Sequence, residues 1–292
     1  MLFKGSAVAL ATPFKENGEI DYTGLDRLVD FQIAHKTDAI VAMGTTGEAS
    51  TTSDPEQIEA IARVVKAAGG KVPVIAGTGI NHTAHAVGLS RDAEAVGADG
   101  LLLVTPYYNK ATKQGLYNHF KTVAESVRIP VILYTVPSRT AVEIPVQMVK
   151  ELAEIKNIVG IKDATGNLSY TTALIHAVPD DFAVYSGNDD VVVPLMSLGG
   201  KGVISVLANI LPKETHEMTR ACLEGDFRKG ADLQIKLYPL IKALFTEVNP
   251  VPVKAAMEIL GLPAGPLRLP LTKASTETYD LLKTRLNELG LL

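Results

Sequence analysis

The chain has 292 residues, 47% of them hydrophobic and 21% charged, with a formal net charge of -4. That balance belongs to a globular protein with a large core and provides no global positive field for nucleic acid or an anionic membrane, so an anionic ligand must be held by local donors. A single cysteine, Cys222, excludes an intrachain disulfide framework and a cysteine-based zinc cluster. The opening M-L-F-K-G-S lacks the apolar segment of a signal peptide and no run of about 18 apolar residues occurs, so a cytoplasmic chain is expected.

In chain order, Ser6–Thr12 reads as a first strand, broken by Pro13. A turn at Asn17-Gly18 leads to a helix over Asp21–Ala34 with Leu25, Leu28, Val29 and Ile33 on one face. Ala39–Met43 is a second strand ending in G-T-T-G-E, and Asp54-Pro55 opens the next helix as a cap followed by a first-turn proline. Val72–Ala76 is a third strand, followed by a helix over His82–Ala95 that stops at Gly97. Strands Gly100–Val104 and Pro130–Tyr134 end in T-P-Y-Y-N and T-V-P-S-R-T, with a helix over Gln114–Ser126 between them and one over Pro145–Glu154 after. Ile158–Lys162, Phe182–Ser186 and Gly202–Val206 complete the strands, separated by a helix over Ser169–Ala177 and a short one carrying Val193, Leu195 and Met196. From Pro212 onward the pattern is helical only, with breaks near Gly225, around Pro250 and over Pro263–Pro270.

Short runs rich in Val, Ile and Ala are buried on both faces and belong to parallel sheets. About eight strand–helix units predict an α/β fold, a (β/α)8 TIM barrel, over residues 1–224, with a C-terminal helical appendage over 225–292. A doubly wound open sheet is the runner-up, disfavoured because no G-x-G-x-x-G follows the first strand.

Barrel enzymes work at the C-terminal ends of their strands. The sixth strand, in N-I-V-G-I-K-D-A-T-G-N, stops there on Lys162. Alone, Lys162 reads as a strand end paired with Asp163 or another acid. In a dry barrel mouth its charged form is disfavoured, and the amine becomes a nucleophile for carbonyl compounds. Lys4, Lys71 and Lys201 precede their strands and Lys110 lies deeper in a loop, which favours the functional reading. The other residues also carry two readings. Gly44–Gly47 is a tight turn or an anion nest of N–H groups and the Thr45 and Thr46 hydroxyls. Tyr134 is core, or a phenol beside Lys162 that relays protons. Tyr107 and Tyr108 are a packing or subunit contact. Arg139 is a surface charge or a bidentate grip on a carboxylate. His82, His85 and His119 show no ligand spacing, so no metal is assigned.

The set G-T-T-G-E at Gly44 to Glu48, T-P-Y-Y-N at Thr105 to Asn109, Y-x-V-P-S-R-T at Tyr134 to Thr140 and G-I-K-D-A-T-G at Gly160 to Gly166 resembles the dihydrodipicolinate synthase family. The likeness runs from Gly5 to the C-terminus and includes N-P-V-P-V-K at Asn249 to Lys254 and L-R-L-P-L at Leu267 to Leu271. It implies a Schiff-base lyase of lysine and diaminopimelate biosynthesis that joins pyruvate to L-aspartate 4-semialdehyde, without metal or organic cofactor, and is commonly a homotetramer built from two tight dimers. By matching motif, Lys162 would form the Schiff base. Tyr134, Thr46 and Tyr108 would relay protons, with Tyr108 entering from a neighbouring subunit. Thr45 and Thr46 would hold the pyruvate carboxylate and Arg139 that of the semialdehyde, while Gly187 and Ile204 would line the site through their backbones. Related N-acetylneuraminate and keto-deoxy sugar acid lyases share the lysine and the turn but resemble a pattern with an apolar residue at Ser138-Arg139. A keto-acid-binding barrel without turnover is the non-enzymatic alternative.

Asn81 and Tyr107 match the lysine-inhibition site of regulated members, whereas His85, Gln57 and Asp54 depart from it. Loss of a carboxylate at His85 implies weak or absent feedback by lysine. Thr135 also stands where many members carry asparagine.

Overall fold

The computed structural model describes residues 1–292. Its strands are β1 (Gly5–Ala9), β2 (Ala39–Ala42), β3 (Val74–Gly77), β4 (Gly100–Val104), β5 (Val131–Thr135), β6 (Ile158–Asp163), β7 (Ala183–Ser186) and β8 (Gly202–Ser205). They pair in parallel in sequence order, and β1 closes on β8 with Gly5 opposite Gly202 and Ala7 opposite Ile204. Closure decides for the barrel over the open sheet. The surrounding helices are α1 (Tyr22–Ala34), α2 (Asp54–Ala68), α3 (Thr83–Ala95), α4 (Lys113–Glu125), the single turn α5 (Pro137–Thr140), α6 (Val146–Leu152), α7 (Leu168–Ala177) and α8 (Val192–Ser197). Four more follow the last strand: α9 (Pro212–Leu223), α10 (Phe227–Ala243), α11 (Val251–Ile259) and α12 (Thr276–Glu288). No helix is long and apolar enough to cross a membrane.

Because side chains alternate across a strand, every strand feeds two cores. Ala7, Ala39, Val41, Ile75, Leu102, Ile132, Tyr185 and Ile204 fill the barrel, while Val8, Ile40, Val74, Leu101, Leu103, Leu133 and Ile161 meet Leu28, Ile61, Phe120, Val149 and Leu174 of the helices. Each fully buried Val, Leu, Ile or Phe side chain among these contributes about 1.5–3 kcal/mol. The barrel is plugged at its N-terminal end, where Tyr185 stacks on Phe3 at 4.3 Å and its hydroxyl donates to the Phe3 carbonyl at 2.7 Å. The opposite end carries the C-terminal ends of the strands, Lys162 among them.

Local deviations from the expected elements have identifiable causes. β3 starts at Val74 because Pro73 has no N–H to offer, and the Val74 N–H goes to the Asp99 carboxylate at 2.8 Å. β1 stops at Ala9, since the Ala11 N–H leaves the ladder for Asn209 Oδ1 at 2.9 Å. The cap of α2 is Ser53, not Asp54: the Ser53 N–H donates to Glu56 Oε2 at 2.9 Å and closes a capping box. Asp54 is the first helical residue, and its carboxylate meets His85 Nε2 at 2.7 Å.

Beyond the turn at Gly225, the helical region shares the outer core: Leu237, Leu240, Val253, Met257, Leu282 and Leu286 belong to the same apolar cluster as Val8 and Ile40. Asn249, just before α11, and Lys254 within it are both buried. Asn249 reaches Thr46 after β2, and Lys254 reaches Thr12 after β1 and Glu48 after β2.

His119 of α4 is buried, bonded to Thr83 Oγ1 through Nδ1 at 2.9 Å, with Nε2 unpartnered. Burial pushes its pKa down to about 4. The unfolded chain therefore binds more protons between about pH 4 and its ordinary value near 6.5, and stability falls as pH drops through that window, by on the order of 2–3 kcal/mol. Replacing His119 with Gln is expected to flatten the acid limb of urea stability measured from pH 7 to 4; an unchanged limb would refute this.

Candidate active site

Strand β6 contains an irregularity that aims the lysine. Val131 faces Ile158, but the next pair is Ile132 with Gly160, so Val159 is an extra residue on β6. Ile158 packs outward into the helix-facing core. Simple alternation from Ile158 would turn Lys162 outward as well. The inserted residue reverses the phase, bringing Gly160 opposite Ile132 and Lys162 opposite Tyr134, both of which face the barrel interior. A Cβ at Gly160 would stand 2.6 Å from the Ala183 carbonyl, so the crowded interior below the lysine admits only glycine.

Lys162 is 6% exposed. Its Nζ lies 4.4 Å from the centroid of the Tyr134 ring. Burial is the main cause that lowers its pKa to about 8; the Asp189 carboxylate opposes that and the Arg139 guanidinium adds to it. Asp163 is not its ion partner. Asp163 points to the other side of the strand, where Oδ1 accepts from Thr165 N at 2.9 Å and Thr165 Oγ1 at 2.7 Å, and Oδ2 accepts from Thr171 Oγ1 at 2.6 Å. The strand-end ion pair is thereby excluded. Asp189 is buried and spends Oδ2 on the N–H groups of Val206 at 3.0 Å and Leu207 at 2.9 Å. Thr135, opposite Asp163, also faces outward and accepts from Ile144 N at 3.2 Å, which fixes the segment after α5.

Tyr134 is 7% exposed, and burial raises its pKa while Arg139 and the Thr45 side chain lower it. Buried Thr46 is turned toward Asn249, whose Nδ2 donates to Thr46 Oγ1 at 3.0 Å. Met43 and Glu48, at the two ends of the turn, hold positive φ values of 54° and 57°, a conformation that β-carbon-bearing residues keep only under tertiary constraint.

That constraint is a buried polar network. Glu48 Oε1 accepts from Lys254 Nζ at 2.9 Å, with both side chains almost fully inaccessible, and Glu48 Oε2 accepts from the Arg268 N–H at 3.1 Å. Lys254 also donates to the carbonyls of Thr12 at 3.1 Å and Pro266 at 2.7 Å. Phe14 is met by Lys254 Nζ and the Arg268 guanidinium at 4.6 and 4.4 Å from its ring centroid. Glu48 therefore holds the turn and does not face the lysine.

Arg139 rides on α5, exposed, and its Nη2 donates to the Asn249 carbonyl at 3.0 Å. Gly187 follows β7, its N–H bonded to the Asp163 carbonyl at 2.7 Å; a Cβ there would come within 3.1 Å of Lys162 Cε. Ile204 is fully buried in β8. Lys162, Tyr134, Thr45, Arg139 and Gly187 thus share the C-terminal mouth. Tyr108 does not join them within its own chain: it is 94% exposed with φ 67°. Asn81 Nδ2 donates to the Tyr107 carbonyl at 3.1 Å, and Asn109 Nδ2 donates to the Asn81 carbonyl at 3.0 Å, away from the lysine. No group of three or more His, Cys, Asp or Glu side chains is placed to hold a metal ion. Sequence reasoning missed Asn249, Lys254 and the β6 bulge. The N-P-V-P-V-K segment was a signal for the first two, while nothing in the spacing of Asn157–Lys162 marks Val159 as extra.

The arrangement suits attack of a poised amine on a carbonyl, with a phenol beside it to move a proton. The model of the dihydrodipicolinate synthetase family matches residues 2–289. The 4-hydroxy-tetrahydrodipicolinate synthase of Caldicellulosiruptor bescii is 52% identical over 290 residues, covering 99% of this chain and 98% of that protein. The crystal structure of dihydrodipicolinate synthase from Aquifex aeolicus is 49% identical and similar with a TM-score of 0.97 over 99% of both chains. The chloride-inhibited synthase of Acinetobacter baumannii, solved in complex with pyruvate, is 45% identical with a TM-score of 0.97, again over 99% of each chain.

Proposed function

The chain belongs to the dihydrodipicolinate synthetase family, and we propose from that premise that it condenses pyruvate with L-aspartate 4-semialdehyde to 4-hydroxy-tetrahydrodipicolinate, through a Schiff base on Lys162. The observation that carries this reading is a buried lysine of lowered pKa beside Tyr134 at the C-terminal end of the barrel strands. The free amine adds to the keto carbon of pyruvate. Tyr134, with Thr45 at its hydroxyl, carries the proton that lets the carbinolamine oxygen leave as water. The cationic imine then acidifies the methyl group; loss of its proton gives an enamine, whose carbon adds to the aldehyde. The amine of the second substrate attacks the imine carbon, closes the ring and releases Lys162. One water is lost overall, and no electron acceptor is required.

Thr45 and Thr46 hold the pyruvate carboxylate, Arg139 that of the semialdehyde, and Gly187 and Ile204 line the site. The exposure and backbone conformation of Tyr108 support its reaching a second copy in a tight dimer, two of which make a tetramer in the cytoplasm. Residues 1–224 carry the chemistry, and the helical region 225–292 braces the Gly44–Glu48 turn. Borohydride with pyruvate is expected to add a single reduced pyruvate group to Lys162; unmodified Lys162 overturns the reading. Comparing aspartate semialdehyde with sialic acid and keto-deoxy gluconate as substrates tests the specificity.

Two results follow for binding. Arg139→Ala is expected to cut turnover of the semialdehyde by about 100-fold or more, as loss of a charge-assisted carboxylate contact does, while pyruvate trapping falls far less. Equal loss in both steps removes the assigned role. L-Lysine is expected to inhibit weakly or not at all, because His85 occupies the Asp54 carboxylate and offers no anion for the inhibitor's ammonium; half-inhibition at micromolar lysine would contradict this.

A further inference from the structure

Asn249 sits between the two substrate-holding groups. Its side-chain amide Nδ2 donates to Thr46 Oγ1 at 3.0 Å, and its backbone carbonyl accepts from Arg139 Nη2 at 3.0 Å. The residue is 6% exposed, and its Oδ1 is buried with no partner. A buried amide with an orphaned acceptor is a poor way to stabilise a fold: the unmet oxygen costs about as much as the single bond returns, and an apolar side chain of similar size would pack at no such penalty. Such an exception calls for a reason other than stability.

The chemistry of the hydroxyl supplies one. A threonine hydroxyl has one proton and two lone pairs. Asn249 fills one lone pair as a donor and takes nothing from the proton. The proton stays free for an acceptor outside the protein, and an anionic carboxylate in the mouth is such an acceptor. An acid at position 249 would do the reverse, drawing the Thr46 proton to itself and facing the substrate carboxylate with a like charge.

We infer that Asn249 is a positioning residue for pyruvate: its side-chain amide directs the Thr46 hydroxyl toward the keto acid carboxylate, while its backbone carbonyl accepts from the Arg139 guanidinium. This rests on the synthase reading given above. It also gives the C-terminal region a part in the reaction, since Asn249 lies more than 40 residues beyond the last strand.

The test is a double-mutant cycle on the full chain with purified Asn249→Ala, Thr46→Val and the double variant, each verified as folded by circular dichroism. Asn249→Ala is expected to raise the KM for pyruvate about tenfold, as loss of one oriented hydrogen bond does, with Lys162 still trapped by borohydride at saturating pyruvate. In the Thr46→Val background the same substitution should raise KM no further, because the group it acts through is gone. Equal effects in both backgrounds, or an unchanged KM in the single variant, overturn the inference. Asn249→Asp is the control of matched shape, for use also where the alanine variant does not fold: it should raise the pyruvate KM at least as much, and a KM like that of the unaltered protein overturns the inference. Failure of the unaltered protein to be trapped by pyruvate and borohydride would instead sink the synthase reading, independently of Asn249.

Discussion

Imine formation between pyruvate and Lys162 is expected to accelerate about tenfold per pH unit up to about pH 8 and to level off above it. Only the free amine is a nucleophile. At an ordinary lysine pKa, roughly one amine in several thousand is free at pH 7; with a pKa near 8 it is about one in ten. Burial provides this, since the ammonium is out of water and Asp163 is engaged elsewhere. Rapid borohydride quenching of pyruvate-treated protein across pH 6 to 10 measures the profile. A midpoint near 10.5 would mean that the lysine is solvated in solution.

The same burial has a thermodynamic cost. Because the folded pKa is depressed, the native state binds fewer protons than the unfolded chain between about pH 8 and 10.5, so stability rises with pH through that window. Below about pH 8 the folded protein bears the full cost of a desolvated ammonium, on the order of 2–3 kcal/mol. Lys162→Met is therefore expected to lose activity by roughly three orders of magnitude or more while gaining resistance to urea at pH 7. An equally inactive but less stable variant would show that the packing of the lysine outweighs the cost of its desolvated ammonium.

Breaking the Glu48–Lys254 pair is expected to be the most destabilising change among the residues around the mouth. Both groups are inaccessible, and burial disfavours the charged lysine, which Glu48 opposes by attraction and a hydrogen bond. Removing one partner leaves the other charge unpaired in a dry site, at a cost of about 3–5 kcal/mol. Lys254→Met should lower the urea midpoint accordingly, and because Glu48 then lets go of the turn, the pyruvate KM should rise as well. Lys254→Met combined with Glu48→Gln should recover part of the stability, since the stranded carboxylate is gone. A double variant as unstable as the sum of the singles would place the energy in packing and not in the charge pair.

Much of this was legible in the chain. Eight apolar runs with turn chemistry after each gave the barrel, and at the β1–β8 seam Gly202 lets the backbones meet, since a Cβ there would collide with the Gly5 carbonyl. Motif spacing named Lys162, Tyr134 and Arg139. It did not show which way Thr46 turns, because two adjacent hydroxyls in one turn look alike until the turn's direction is known. Nor did it separate the two readings of Glu48, whose partners lie 206 and 220 residues away.

Local features could be read from the residues alone: which segments are buried on both faces, where the turns fall, and which reactive side chain stands at the end of a strand. Period-two alternation and turn preferences act within a few residues, so they can be read without the rest of the chain. Tertiary structure alone decided which way that side chain points and what holds its neighbours. One extra residue on β6 inverts the alternation, and only pairing with β5 reveals it. Asn249, Lys254 and Arg268 reach the Thr45–Glu48 turn from the far end of the chain, and such contacts exist only once the barrel has closed and brought those ends together.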